Sequence, residues 1–198
     1  LSTIFDSPKL VSTQSLGAWY DITFSPTLGT GQGRFLAVSN GSGNTIRSDD
    51  NGETWTTGNV VNTAPDPTGV VWCSGFNGGD GYFVSCSVNS LLHYSADGIT
   101  WAAGTGTTSF AWWATEYSLE LNRVIAVASN GEISYSNDGI AWSAASDDGV
   151  ADLNCVAWAP EINLFVAVGD SIATNCVTSS DGITWTKAGT LGAAFSVR

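Results

Sequence analysis

Three carboxylates, Asp21, Glu116 and Asp170, stand at the ends or turns of short extended runs, where side chains of neighbouring runs converge. Two such groups are what hydrolysis of a neutral glycan requires, one as the acid and one as base or nucleophile. No spacing singles out a pair, so a solvated surface is the expected reading and the glycoside hydrolase is kept as the alternative. The run Asp49-Asp50-Asn51-Gly52-Glu53 has the acids and glycine of a calcium loop, but Arg47 occupies the first ligand position. Gly29-Thr30-Gly31-Gln32-Gly33-Arg34 is rich enough in glycine to cradle phosphate. It joins two extended runs, however, and opens no helix whose N-terminus would hold the anion. The lone His93 sits beside Tyr94 in an extended run, with no readable nucleophile partner. Cys73, Cys86, Cys155 and Cys176 form no CxxC pair, so no zinc site, metal or cofactor is expected.

Composition narrows the partners. Of 198 residues only 12% are charged, against roughly a quarter in an average globular protein. Eighteen acids against six Lys and Arg leave a net charge of −12, which repels phosphate backbones and anionic membranes. Nucleic-acid binding and membrane insertion are therefore not expected, and no apolar run approaches the roughly 18 residues of a membrane span. A hydrophobic content of 43% with nine tryptophans argues for a packed core. The sequence holds no Met, and Leu1-Ser2-Thr3-Ile4 lacks the parts of a secretory signal, so any such signal is expected to have been removed. A surface of Ser, Thr, Asn and Gly with two lysines suits an extracellular or virion-associated protein.

What must position these residues is a repeat. Four related segments occur: Ser48-Asp49-Asp50-Asn51-Gly52-Glu53-Thr54-Trp55, Ser95-Ala96-Asp97-Gly98-Ile99-Thr100-Trp101, Ser136-Asn137-Asp138-Gly139-Ile140-Ala141-Trp142 and Ser179-Ser180-Asp181-Gly182-Ile183-Thr184-Trp185. Their closing tryptophans lie 46, 41 and 43 residues apart. The glycine supplies the positive φ of a tight hairpin, the aspartates Asp50, Asp97, Asp138 and Asp181 accept from turn N–H groups, and the indole opens the returning strand. Two runs precede each segment: one ending in an aromatic (Phe24, Phe76, Tyr117, Trp158), then a small apolar one (35–38, 83–86, 124–127, 165–168). Each unit thus reads as four strands, helix is expected to be almost absent, and a repeat of 40-odd residues suits a β-propeller of four-stranded antiparallel blades.

The four segments resemble the Asp-box (BNR) repeat of sialidase-like β-propellers, whose pattern Ser-x-Asp-x-Gly-x-Thr-Trp is met in full by residues 48–55. The other three are one residue shorter, and Ala141 replaces the Thr in the third. The resemblance covers roughly residues 18–190 and implies an all-β fold with the box as a peripheral hairpin staple outside any catalytic centre. Repeats are expected at about 19–60, 70–105, 110–146 and 152–189, in a single domain spanning 1–198. A fifth blade drawn from 1–15 and 192–198 is favoured over a four-bladed ring, with a fragment that closes by oligomerising as the third option. Sialidases of this family need three arginines around the substrate carboxylate and a Phe-Arg-Ile-Pro segment. Only Arg34, Arg47, Arg123 and Arg198 are present, Arg34 and Arg47 fall in or beside turns, and the segment is missing. A non-catalytic member is therefore expected.

The remaining candidates are aromatic. Counting four residues back from each first-strand aromatic gives Tyr20, Trp72, Trp113 and Asn154, with Trp19 and Trp112 one position earlier. First strands line the centre of a propeller, and Trp or Tyr beside Asn and Asp suits stacking on sugar rings. Those six are the candidate ligand-binding residues; the competing expectation is that they fill the core between blades. The insertion 59–69 is a candidate partner contact or a tolerated surface loop. Cys73 and Cys86, on adjacent first and second strands, are placed to form a disulfide, whereas Cys155 and Cys176 lie too far apart. The leading expectation is a binding module for a carbohydrate or cell-surface ligand, on a virion, phage tail or secreted adhesin. A homo-oligomer, or a structural spacer in a larger assembly, is the further possibility.

Overall fold

The computed structural model describes residues 18–40, 44–58, 66–88, 90–146, 149, 152–170 and 176–189. Among the described residues sixteen strands form four antiparallel sheets, each a meander in chain order. Sheet I holds β1 (Ala18–Ser25), β2 (Arg34–Asn40), β3 (Thr45–Ser48) and β4 (Thr56–Thr57). Sheet II holds β5 (Pro67–Cys73), β6 (Tyr82–Ser87), β7 (His93–Ser95) and β8 (Ala102–Ala103). Sheet III holds β9 (Trp112–Ser118), β10 (Arg123–Ala128), β11 (Ile133–Ser136) and β12 (Trp142–Ala144). Sheet IV holds β13 (Leu153–Ala159), β14 (Leu164–Gly169), β15 (Cys176–Ser179) and β16 (Thr186–Gly189). The only helical pieces among the described residues are single 3₁₀ turns at Asn77–Gly79 and Pro160–Ile162. Ala, Ser and Val are the commonest strand residues, and the strands' branched and aromatic side chains pack well on a pleated surface.

The first strands β1, β5, β9 and β13 pack on one another in chain order, so the four sheets stack face to face like propeller blades. Each interface has its own apolar core. Leu36 and Val38 of sheet I meet Val70, Trp72, Phe83 and Trp101 of sheet II. Val84, Cys86 and Leu92 of sheet II meet Trp112, Val124 and Trp142 of sheet III. Ile125, Val127 and Ile133 of sheet III meet Val156, Phe165 and Trp185 of sheet IV. The rule is constant: the middle-strand aliphatics of one sheet face the inner-strand and closing-tryptophan side chains of the next. The connecting chain seals the second and third seams: Thr105 N–H donates to the Ile140 carbonyl while the Thr105 carbonyl accepts from Trp142 N–H, and Ser146 pairs in the same way with Ile183 and Trp185. Segments 1–15 and 192–198, expected to share a fifth blade, lie outside the described residues, as does most of the insertion 59–69.

The register corrects two expectations. Trp72 pairs with Phe83 just as Phe24 pairs with Phe35, Tyr117 with Val124 and Trp158 with Phe165. Trp72, not Phe76, is therefore the first-strand aromatic of sheet II, and Phe76 lies in the turn beyond it. Cys73 stands opposite Tyr82, and Cys86 four residues further along the same strand, roughly 13 Å away at about 3.3 Å per residue. That is beyond bridging distance, and all four cysteines are free thiols.

Candidate functional site

Each repeated turn ties its serine and aspartate side chains to its own backbone. In sheets II, III and IV the serine hydroxyl (Ser95, Ser136, Ser179) accepts from the glycine N–H at 2.8–2.9 Å and donates to the aspartate Oδ1. The same Oδ1 accepts from two successive backbone N–H groups at 2.8–2.9 Å, those of Ile99 and Thr100, Ile140 and Ala141, Ile183 and Thr184. In sheet I the turn is one residue longer, and Asp50 accepts from Ser48 and from both the N–H and hydroxyl of Thr54. Burial works against ionisation of Asp97, Asp138 and Asp181, but these donors outweigh it and hold each carboxyl below its ordinary value. The four aspartates are thus occupied within their own turns.

Two of the four arginines are occupied as well. Arg34 makes two side-chain bonds to Asp49, Nε to Oδ1 at 2.6 Å and Nη2 to Oδ2 at 2.7 Å, and its Nη1 donates to the carbonyl of Asp97 on sheet II at 2.6 Å. Arg123 stands at the equivalent position of sheet III; it donates to Asn137 in its own sheet and to the carbonyl of Asp181 in sheet IV. Each guanidinium therefore rivets its own turn to the turn of the next sheet, a use of the planar fork that a lysine could not copy.

The inner strands hold what is left. Every one carries a β-bulge at the same place, after Trp19, Pro67, Trp112 and Leu153. The extra residues are Tyr20, Thr68, Trp113 and Asn154, all at the start of the inner strand and so at one end of the stack. A bulge re-aims its side chain out of the regular alternation. Tyr20 is exposed, Trp113 and Asn154 are half-buried, and Thr68 is buried with its hydroxyl donating to the Trp112 carbonyl at 2.7 Å. Trp72 and Trp112 lie in the cores between sheets and offer no face to a ligand, while Trp19 is 43% exposed. Three of the six aromatic and amide candidates thus fall together on bulges, and Thr68 is the fourth member that the sequence misaligned.

Just past the bulges of β1 and β9 lie two partly buried carboxylates, Asp21 and Glu116. Asp21 accepts from its neighbour Ile22 N–H at 2.8 Å and, across the seam, from Val70 N–H at 2.9 Å; Thr23 accepts likewise from Trp72 N–H. Burial lifts the Asp21 carboxyl above its usual range against those two bonds. Glu116 on β9 is pushed up to about 7, by burial first and by the nearby Asp21 charge as a lesser cause, while the Tyr117 N–H opposes both. The Cys155 thiol is raised mainly by partial burial, with the Glu116 and Asp21 charges as lesser causes. Asp170 is exposed at the end of β14 and does not share in this interaction. No group of three His, Cys, Asp or Glu side chains suited to a metal ion occurs among the described residues. His93 is buried within β7.

Four stacked antiparallel meanders with their first strands innermost define a β-propeller-like protein, and solved structures agree. No protein-family model and no curated protein sequence matches the chain. It is similar to YCF48 bound to D1 peptide, with a TM-score of 0.58 and 17% identity, covering 85% of this chain and 54% of that one. It is similar to the GH74 enzyme of Niastella koreensis, with a TM-score of 0.63 and 15% identity over 88% of this chain and 25% of the enzyme. It is also similar to a chain of the nidogen–laminin complex, with a TM-score of 0.62 and 10% identity over 89% and 70%. This chain spans about half the length of the YCF48 chain it matches. At such identities the likeness speaks for the β-propeller architecture alone.

Proposed function

We propose that the protein is a non-enzymatic binding module of Asp-box type, recognising a glycan or another cell-surface ligand, as part of a virion, phage tail or secreted adhesin-like protein. The supporting observation is the bulge recurring in all four inner strands. It lifts Tyr20, Trp113 and Asn154 out of the strand alternation at one end of the stack. Two aromatic rings and an amide on a rigid frame provide apolar faces for sugar C–H groups and a partner for hydroxyls. Glycan-array binding tests this directly. Tyr20→Ala and Trp113→Ala should each weaken the strongest hit at least about tenfold, or about 1.4 kcal/mol, without lowering thermal stability. Unchanged binding in both variants would move the site elsewhere.

The Glu116–Asp21 pair favours a second reading, a hydrolase of neutral glycans. A carboxyl raised to about 7 beside another carboxylate is the environment of a general acid. Release of reducing sugar that disappears in Glu116→Gln and Asp21→Asn would establish it; release that survives both substitutions, or none at all, would exclude it.

A further inference from the structure

A glycine carries no side chain to shield its backbone nitrogen, so that nitrogen can attack an Asn or Asp side chain just before it. Seven Asn–Gly or Asp–Gly pairs lie wholly within the described residues, and in six the glycine N–H is already engaged. In the four repeated turns Gly52, Gly98, Gly139 and Gly182 donate to the hydroxyls of Ser48, Ser95, Ser136 and Ser179 at 2.8–2.9 Å. Gly81 donates to the Phe76 carbonyl and Gly131 to that of Ala128, each at 3.0 Å. The serine of each repeated turn therefore does more than close a hairpin: it occupies a nitrogen that could rearrange the chain.

The seventh pair is Asn77–Gly78. Among the described residues its Gly78 N–H has no acceptor and its Asn77 side-chain amide has no partner. The other two asparagines followed by a described glycine are held at the amide as well. Asn51 Nδ2 donates to Gln32 Oε1 at 2.7 Å, and Asn130 Oδ1 accepts from Glu132 N–H at 3.2 Å. Around Asn77 the turn has fixed feet and a free tip. Phe76 is 2% exposed in the core between sheets II and III, and a Cβ on Gly81 would meet the Trp72 indole at 2.1 Å. Between them residues 77–80 are all exposed, and a Cβ on Gly78 or Gly79 would meet nothing within 4 Å. The Asn77 carbonyl is tied only by a long bond of 3.3 Å from Asp80 N–H. The tip can thus turn its amide towards the next nitrogen without disturbing either foot.

We propose that Asn77–Gly78 is a site of spontaneous covalent modification, the one such pair of the seven that the fold leaves unprotected. The Gly78 nitrogen loses its proton to water and attacks Asn77 Cγ. The bond from Cγ to the side-chain nitrogen breaks, ammonia leaves, and a five-membered succinimide forms. Water then opens the ring at one carbonyl or the other, leaving an aspartyl or a β-linked isoaspartyl unit at position 77. No electrons are transferred, and water is the only co-reactant. The product sets a new carboxylate close to Asp80, and the isoaspartyl form lengthens the backbone of the turn by one carbon. The inference is independent of the ligand reading, because this turn follows the end of β5 and the bulge lies at its start.

Peptide mapping by mass spectrometry tests it on the full folded chain held in mildly alkaline buffer. Each conversion adds one mass unit, and an isoaspartyl methyltransferase labels the β-linked product. Position 77 should convert at least about tenfold faster than Asn51 and Asn130, a difference of about 1.4 kcal/mol in barrier. In concentrated urea the three rates should converge, since the hydrogen bonds that separate them are gone. The double variant Gln32→Ala, Ser48→Ala frees both the amide and the glycine nitrogen at Asn51–Gly52. Conversion there should rise towards the rate at position 77, with circular dichroism confirming the β-spectrum. Equal rates at the three asparagines of the folded chain overturn the proposal. A difference that persists in urea overturns it too, because local sequence would then set the rates. So does an Asn51 that stays slow in the folded double variant.

Discussion

Each repeated turn is built around a carboxylate that is worth more folded than unfolded. Asp138 holds the N–H groups of Ile140 and Ala141 and the hydroxyl of Ser136, so Asp138→Ala leaves two amides without their acceptor. The expected loss is about 1–2 kcal/mol, the cost of removing charge-assisted bonds at a partly exposed turn, measurable by urea unfolding. Glu116 works in the opposite sense. Its carboxyl titrates near 7 folded and near 4.5 in a free chain, so the folded state holds the proton more tightly. Its stabilising share is full below about pH 4.5, falls as pH rises towards 7, and is gone above it. Glu116→Gln should therefore raise stability by about 1–3 kcal/mol at pH 8, change it little at pH 4, and flatten the profile between. A variant no more stable than the parent at pH 8 would show that the carboxylate is solvated. The aspartate turns are legible in the sequence because Ser, Asp, Gly and Trp are contiguous. The Glu116 environment is not, because Asp21 and Cys155, which share it, come from other sheets.

At the scale of strands and seams, the four-strand units are readable because each turn marks where its strands must lie. The register is harder. The Ser74–Gly81 connection of sheet II contains Phe76, and counting back from that aromatic displaces Trp72 from its core position and hides Thr68 on the bulge. Bulges themselves leave no local mark, since Tyr20, Thr68, Trp113 and Asn154 share no residue type. Nor does the sequence show that Arg34 and Arg123 reach the next sheet, 63 and 58 residues away. Arg34→Ala should cost about 2–3 kcal/mol, because it strands Asp49 and frees the Asp97 carbonyl at a partly buried seam. Arg34→Lys should recover less than half of that, since an ammonium cannot span three acceptors. Hydrogen exchange of the Ile99 and Thr100 amides should quicken in both variants if the guanidinium holds the two turns together.

Among the described residues each sheet packs mainly on its sequence neighbours, so stability is close to a sum over sheets and seams. The seams are not equivalent in position, which makes their closing tryptophans a probe of cooperativity. Trp142 fills the seam between sheets II and III, and Trp185 the seam between III and IV; both are almost fully buried. Removing either indole leaves a cavity, and the loss expected for Trp→Ala in a packed core is about 3–5 kcal/mol. The consequences for unfolding differ. Trp185→Ala weakens a terminal seam, so sheet IV should open alone, and amides of β14 and β15 should lose protection while those of β6 and β10 keep theirs. Trp142→Ala weakens the middle, so sheets I and II should separate energetically from III and IV, with a broadened urea transition and a reduced apparent m-value. Uniform loss of protection across all four sheets in both variants would mean that the stack unfolds as one unit, coupled more strongly than its seams alone provide.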